Sequence, residues 1–157
     1  MSLSKFVMAI NDDFPQKGFI VAYTMLLNGV NGVKLKADVF WEFAREDNAM
    51  HDLVEVAGQA KRFEVLCHQN ETLQNAITKI QQIGQQYKHL KMATYKEAIN
   101  CLKNPSKEAI QKCSEVLSRF KNAMKTHSQN LQEYLAALTY LNNLFKEAEK
   151  QKMQEKT

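Results

Sequence analysis

The sequence predicts an all-α protein: an elongated helical bundle of three long antiparallel amphipathic helices, preceded by a short N-terminal helical element. Helix breakers are scarce, because the 157 residues include only five Gly and two Pro. Apolar residues recur at alternating steps of three and four along most of the chain, which is the period of a helix that packs against other helices. With 45% hydrophobic and 24% charged residues, the composition is that of a globular domain. We therefore expect one domain over residues 1–157.

The N-terminal 32 residues predict two short helices. Residues 4–10 carry apolar side chains at helical spacing, and Asp12-Asp13-Phe14-Pro15 ends this helix and opens the next one. The second helix is expected over residues 16–27. Two Asn-Gly pairs follow within residues 28–32, and they supply the positive φ angles that a helix end and a turn require.

The long-helix bundle is expected over residues 33–152. Its first helix should run from about residue 35 to residue 67, on a stripe that includes Phe40, Phe43 and Met50. Its second helix should run from about residue 71 to residue 103.

The last long helix carries the most regular apolar seam of the chain. Asn104 is predicted to cap it, with Pro105 in its first turn. Five polar residues at 126–130 leave two interpretations open, which are one continuous helix or two helices in a more compact bundle. Residues 153–157 are expected to fray. The seam consists of Ile110, Cys113, Leu117, Phe120, Met124, His127, Leu131, Tyr134, Leu138, Leu141, Phe145 and Ala148.

Metal binding is not expected. Asp47 and His51 are four residues apart, as are Glu64 and His68, so each pair shares a helix face. The two pairs lie seventeen residues apart, which rotates them by about 100° around one helix and prevents a joint site. Asp47 lies off the predicted stripe, so we expect a solvated pair with His51. His127, in the last seam, is expected to be a hydrogen-bonded core or boundary residue.

Catalysis and cofactor binding are not expected either. The three cysteines are an odd number and lie on or beside apolar stripes, so they are predicted to be reduced and buried in a cytoplasmic setting. The chain contains no glycine-rich phosphate loop and no nucleophile elbow. These patterns predict a protein that is not an enzyme and has no small-molecule substrate.

A second localisation stays open beside the cytoplasm. The abundant Lys, Asn and Gln are also compatible with a bacterial effector that is delivered into a host cell.

Charge is distributed unevenly along the chain. Residues 34–71 include eight acidic and five basic residues, whereas residues 79–125 include three acidic and ten basic residues. One interpretation is that these segments lie side by side and their charges complement each other. The other is that the lysine-rich hairpin 79–125 binds an anionic membrane or nucleic acid. Its candidate residues are Lys88, Lys91, Lys96, Lys103 and Lys107.

The leading functional prediction is a non-enzymatic protein–protein interaction module, such as an adaptor, a secretion chaperone, a secreted effector or a coiled-coil scaffold. Long apolar seams without catalytic residues are typical of proteins that act through their surfaces. The partner would be another protein or a second copy of this chain. Phe19, Ile20 and Tyr23 are the candidates for an apolar docking surface. Electrostatic binding through the lysine-rich hairpin is the alternative.

Overall fold

Within residues 14–51 and 71–129, this computed structural model of the protein has four helices. Its described residues are 14–51, 53–54 and 71–129, and, nearer the C-terminus, 139–140, 143, 146–147 and 149–154, which are also helical. The helices are α1 (Gln16–Asn28), α2 (Ala37–Ala49), α3 (Glu71–Lys103) and α4 (Lys107–Gln129). Within these ranges there is no β-strand. The all-α bundle is therefore confirmed, and α1 and α3 have nearly the predicted limits.

Helices α3 and α4 form an antiparallel pair. They are joined by residues 104–106, and so short a connection makes long helices neighbours of opposite direction. Contacts between the two helices agree with this. Tyr87 packs on Phe120 with ring centroids 5.5 Å apart. Gln86, which precedes Tyr87 in α3, lies 2.8 Å from His127, which follows Phe120 in α4. The 33 residues of α3 correspond to a length of about 50 Å.

Helix α2 packs on α4 and runs in the same direction. Lys121 of α4 donates to Glu42 of α2 at 2.9 Å. Further towards the C-terminus of both helices, Ser128 donates to Glu46 at 3.3 Å. Contacts that advance together along two helices define a parallel pair, so α2 is antiparallel to α3. These contacts also join the acidic and basic segments side by side.

The predicted helix over residues 35–67 can be followed only in part. Helix α2 ends at Ala49, and Met50 is a turn residue with φ −87° and ψ −5°. Helical hydrogen bonding continues locally, because the Val54 N–H donates to the Met50 carbonyl at 2.9 Å. The rest of this predicted helix, including Glu64, Cys67 and His68, lies outside the described residues. So do residues 1–13 and 130–138, so the two interpretations of the last helix stay open.

A tight reverse turn joins α1 to α2, as the Asn-Gly pairs predict. Gly29, Asn31 and Gly32 all have positive φ, at 104°, 49° and 81°. Val30 and Val33 exchange two backbone hydrogen bonds of 2.8 and 3.0 Å around the Asn31-Gly32 pair. Two successive positive φ values are what a two-residue hairpin turn of this hand needs, and Asn-Gly is its preferred sequence.

Ser106, and not Asn104, caps the N-terminus of α4. The Ser106 hydroxyl oxygen accepts the Ala109 N–H at 3.0 Å, which satisfies one of the backbone donors that the first helical turn leaves without a partner. Pro105 therefore precedes the cap instead of lying in the first turn. The prediction of Asn104 as the cap was wrong because both residues are good caps and the spacing alone does not choose between them.

Replacing Ser106 with Ala is expected to lower the free energy of unfolding by about 1 kcal/mol, because the Ala109 N–H loses its acceptor. Chemical denaturation measures this change. Asn104→Ala is the matched control in the same turn, and an effect as large as that of Ser106→Ala would contradict the assignment of the cap.

An aromatic cluster occupies the centre of the core. Phe43 of α2 packs on Phe120 of α4 with centroids 4.6 Å apart, and on Phe19 of α1 at 6.0 Å. Tyr87 of α3 closes the cluster against Phe120. Within the described part of the predicted α4 seam, Cys113, Leu117, Phe120 and Met124 are buried, which confirms the pattern there.

Candidate functional site

The three residues predicted as a docking surface do not lie on one side of α1. Phe19 and Tyr23 are 5% and 1% exposed, so they belong to the core and are unable to dock a partner. Ile20 is 55% exposed and stays available. The prediction was wrong for two of three residues because α1 is apolar on most of its circumference, which hides the boundary between its inner and outer faces.

The exposed side of α1 is also apolar. Val21 and Met25 are 58% and 45% exposed, and with Ile20 they form what we call the α1 apolar face. Sequence reasoning missed Val21 and Met25. Spacing gave no signal for them, because apolar residues occupy most positions around α1 and so do not show which side of the helix is covered.

Trp41 of α2 is the most exposed aromatic residue near α1. Its side chain is 62% exposed. It packs edge-on against Phe40 with centroids 5.6 Å apart, and Phe40 packs on Tyr23 of α1 at 5.3 Å. A large exposed apolar ring of this kind is a frequent anchor in protein interfaces.

Of the five lysines predicted to bind an anionic ligand, one is buried and four are exposed. Lys91 is 3% exposed and lies in the core, so its assignment to a surface was wrong. Lys88, Lys96, Lys103 and Lys107 are exposed. Lys91 follows Tyr87 by four residues, so both side chains lie on the same face of α3 and point into the bundle. There the carboxylate of Asp47, on α2, balances the charge of Lys91.

A buried charge network, which we call the Asp47 network, surrounds Lys91. The Lys91 ammonium lies 3.3 Å from Asp47 Oδ1 and donates to the Tyr87 oxygen at 3.1 Å. Tyr87 in turn donates its hydroxyl proton to Asp47 Oδ1 at 2.5 Å. His51, on the exposed side, lies 3.7 Å from Asp47 Oδ2. Asp47 is thus not the solvated residue that its sequence position predicted.

The Asp47 network also reaches α1. The Lys91 ammonium lies 5.1 Å from the ring centroid of Phe14 and 5.8 Å from that of Phe19. Both distances fall within the range of cation–π attraction. Lys91 of α3 therefore contacts both Asp47 of α2 and Phe19 of α1.

The acid–base properties of this network follow from its burial. Burial by itself raises the pKa of Asp47, but His51, the Lys91 charge and the Tyr87 hydrogen bond outweigh it and hold this pKa below its usual value. Burial and the Asp47 charge raise the pKa of Tyr87 far above the ordinary tyrosine value. At neutral pH the site is thus an ionised carboxylate that accepts from a neutral phenol, an arrangement that stabilises the charge of Asp47.

A second buried polar group lies between α1, α3 and α4. Tyr23 donates to the Thr94 carbonyl at 2.7 Å, and its oxygen lies 3.5 Å from Cys113 Sγ. Burial raises the pKa of Tyr23 well above its ordinary value and that of the Cys113 thiol to about 11. Burial likewise raises the pKa of Cys101. Protonated, buried thiols are poor nucleophiles, so both cysteines serve as core residues.

His127 lies at the boundary of the core, as predicted. Its Nε2 is 2.8 Å from Oε1 of Gln86, and the residue is half-buried. Burial and the charge of Lys79 lower the pKa of His127, so the neutral ring is favoured at physiological pH. Among the residues that the structure describes, no three His, Cys, Asp or Glu side chains cluster in a way that could hold a metal ion.

Comparison with protein-family models, with curated proteins and with solved structures finds no match to this chain. In the described ranges, no helix combines the length and the apolar character needed to cross a membrane.

Proposed function

We propose that this protein is a non-enzymatic interaction module that binds another protein through the α1 apolar face. The observation that carries the proposal is the exposure of Ile20, Val21 and Met25 on a helix whose opposite side is fully packed. Burying a side chain of this size completely contributes about 1.5–3 kcal/mol. Three such side chains on one short helix give a partner a substantial apolar contact.

The buried polar groups support this proposal in preference to catalysis. Asp47, Tyr87 and Lys91 satisfy one another, and Tyr87 and Lys91 lie in the interior at 1% and 3% exposure, while Asp47 is half-buried. A general acid or base must come within hydrogen-bond reach of a substrate. The exposed side chains Ile20, Val21 and Met25 of α1, in contrast, are apolar, as expected for a surface that docks a protein.

Val21→Glu with Met25→Glu is expected to abolish partner binding without unfolding the protein, because both side chains are about half exposed. The measurement is a quantitative pull-down from nuclease-treated lysate, with mass spectrometry of the retained proteins. Gln82→Glu with Gln85→Glu is the matched control, since it adds the same charge to exposed positions of α3. A protein retained by the wild type and the control but not by the α1 variant supports the proposal. Identical sets of retained proteins would contradict it.

A second candidate function is the binding of a polyanion, either an anionic membrane or nucleic acid. Four exposed lysines favour it, namely Lys88, Lys96, Lys103 and Lys107. Such binding would weaken steeply with rising salt. Replacing the four lysines with Glu should then abolish binding to anionic vesicles or to RNA, whereas binding that is insensitive to salt would dispose of this candidate.

A further inference from the structure

We propose that the occupant of the α1 apolar face is an amphipathic helix whose apolar stripe is bounded at both ends by acidic residues. This inference rests on the proposed function and adds the chemistry of the partner. It follows from three features of α1, which are its length, the spacing of its exposed residues and the sign of the charges at its ends.

The spacing of the exposed residues fits a partner helix. Outward-facing positions of α1 form two rows, which are Lys17, Val21 and Met25 at steps of four, and Lys17, Ile20 and Thr24 at steps of three and four. That spacing is the seam along which two helices pack side by side. With 13 residues, α1 offers a contact about 20 Å long, which matches a partner helix of three to four turns.

Among the residues that the structure describes, those that carry charge next to the two ends of the α1 apolar face are lysines. Lys17 is the one charged residue of α1, and it is exposed in the first turn. At the other end the exposed Lys34 lies against Gly29, with its Cβ 3.8 Å from the position that a Cβ on Gly29 would occupy. The first acidic residue after Lys34 in the sequence is Asp38, and its carboxylate accepts the Val39 N–H of its own helix at 2.9 Å. A partner with acidic ends therefore finds complementary charge at both ends of its stripe.

A second copy of this chain fits the face less well. If two α1 helices packed together in antiparallel orientation, Lys17 of each would meet the Lys34 end of the other. In parallel orientation each lysine would meet its own counterpart. Either arrangement places like charges opposite each other, which disfavours association.

An anionic membrane is also a weaker match. A lysine near an anionic lipid surface contributes only about 1 kcal/mol, and α1 itself provides a single lysine. Interfacial helices that bind membranes carry basic residues along their polar face. Here the other side of α1 packs on the protein through Phe19, Ala22, Tyr23 and Leu26.

Two synthetic peptides test the inference with the full-length protein. Both carry the same leucine seam over three to four helical turns, and they differ in having Glu or Lys at both ends. Fluorescence anisotropy at low salt is expected to show the acidic-ended peptide binding about tenfold or more tightly than the basic-ended one, with the difference shrinking as salt is raised. Lys17→Glu with Lys34→Glu should reverse this order, and Val21→Glu should abolish the binding of both peptides.

Several results would overturn the inference: equal affinity for the two peptides, no binding of either, tighter binding to phosphatidylserine vesicles, or a dimer that Val21→Glu dissociates. Failure here is distinguishable from failure of the proposed function. A protein whose retention depends on Val21 and Met25, together with peptides that bind regardless of charge, would leave the interaction module intact and remove only its acidic partner. If no retained protein depends on these residues, the proposed function itself fails.

Discussion

Asp47→Ala is expected to destabilise the protein by about 3–5 kcal/mol, because it leaves the buried Lys91 ammonium without its counter-charge. Lys91 would then keep only the Tyr87 oxygen and nearby aromatic rings, among them those of Phe14 and Phe19, as partners. Removing one partner of a buried pair costs far more than the pair itself contributes, since an unpaired charge in the interior loses its hydration. Urea denaturation of the two proteins at neutral pH measures the difference.

The control for this prediction removes both charges. Asp47→Leu with Lys91→Met replaces the pair with apolar side chains, and such replacements are often neutral or even stabilising. The double variant is therefore expected to be more stable than Asp47→Ala. If the double variant were less stable than Asp47→Ala, the network would contribute through something other than the pairing of buried charges.

The contribution of Asp47 should also depend on pH. Its folded-state pKa lies below the unfolded value, so the stabilisation is fully present above the unfolded pKa of about 4 and is lost as the pH falls through the folded pKa. The difference in unfolding free energy between the wild type and Asp47→Ala should therefore narrow below pH of about 4. A difference that stays constant into strong acid would contradict the ionised state of Asp47.

Phe120→Ala is the second substitution with a large expected effect, about 3–5 kcal/mol. Phe120 is fully buried, and its ring contacts both Phe43 of α2 and Tyr87 of α3. Truncation opens a cavity where three helices meet, and the surrounding rings are too rigid to fill it completely. Thermal or urea unfolding measures the loss.

Arg119→Ala is the matched control, because Arg119 is the exposed neighbour of Phe120 on the same helix. A change within about 0.5 kcal/mol is expected for this surface residue. Equal effects at residues 119 and 120 would show that α4 does not present this face to the core.

Much of the fold could be predicted from the sequence because helical periodicity is a local property. The limits of α1 and α3 and the described part of the α4 seam follow from spacing and from turn residues alone. The positive φ angles at Gly29 and Gly32 follow from the conformational freedom of glycine in the Asn-Gly turn. In these places neighbours in the sequence determine the local structure.

The sequence-based predictions failed mainly at the two charged residues of the Asp47 network, Asp47 and Lys91. Asp47 follows the buried Phe43 by four residues and precedes the buried Met50 by three, so its position lies on the apolar stripe. The prediction that it lies off the stripe, as a solvated partner of His51, was therefore wrong. The same error placed Lys91 on the surface. Each charge is tolerated in the core only because the other is there, and the two residues lie on different helices, 44 positions apart in the sequence. Spacing along one helix cannot reveal such a pair.

The exposed face of α1 shows a related difficulty. An apolar residue counts as a core candidate in any periodicity argument, so a helix that is apolar nearly all round gives no indication of which side is covered. The packing of Phe19 against Phe43 and of Tyr23 against Phe40 decides this in the folded protein. Val21 and Met25 emerge as surface residues only after that packing is known.

Site-specific photo-crosslinking from Val21 tests the central claim, that the α1 apolar face is a binding surface, most directly. A photoreactive amino acid is placed at Val21 and, in a control protein, at Gln85 on the exposed side of α3. After irradiation in lysate, we predict a crosslinked polypeptide from position 21 alone, and sequencing should place the crosslink in an amphipathic segment with acidic ends. The absence of a crosslink at position 21, or the same products from both positions, would contradict the claim.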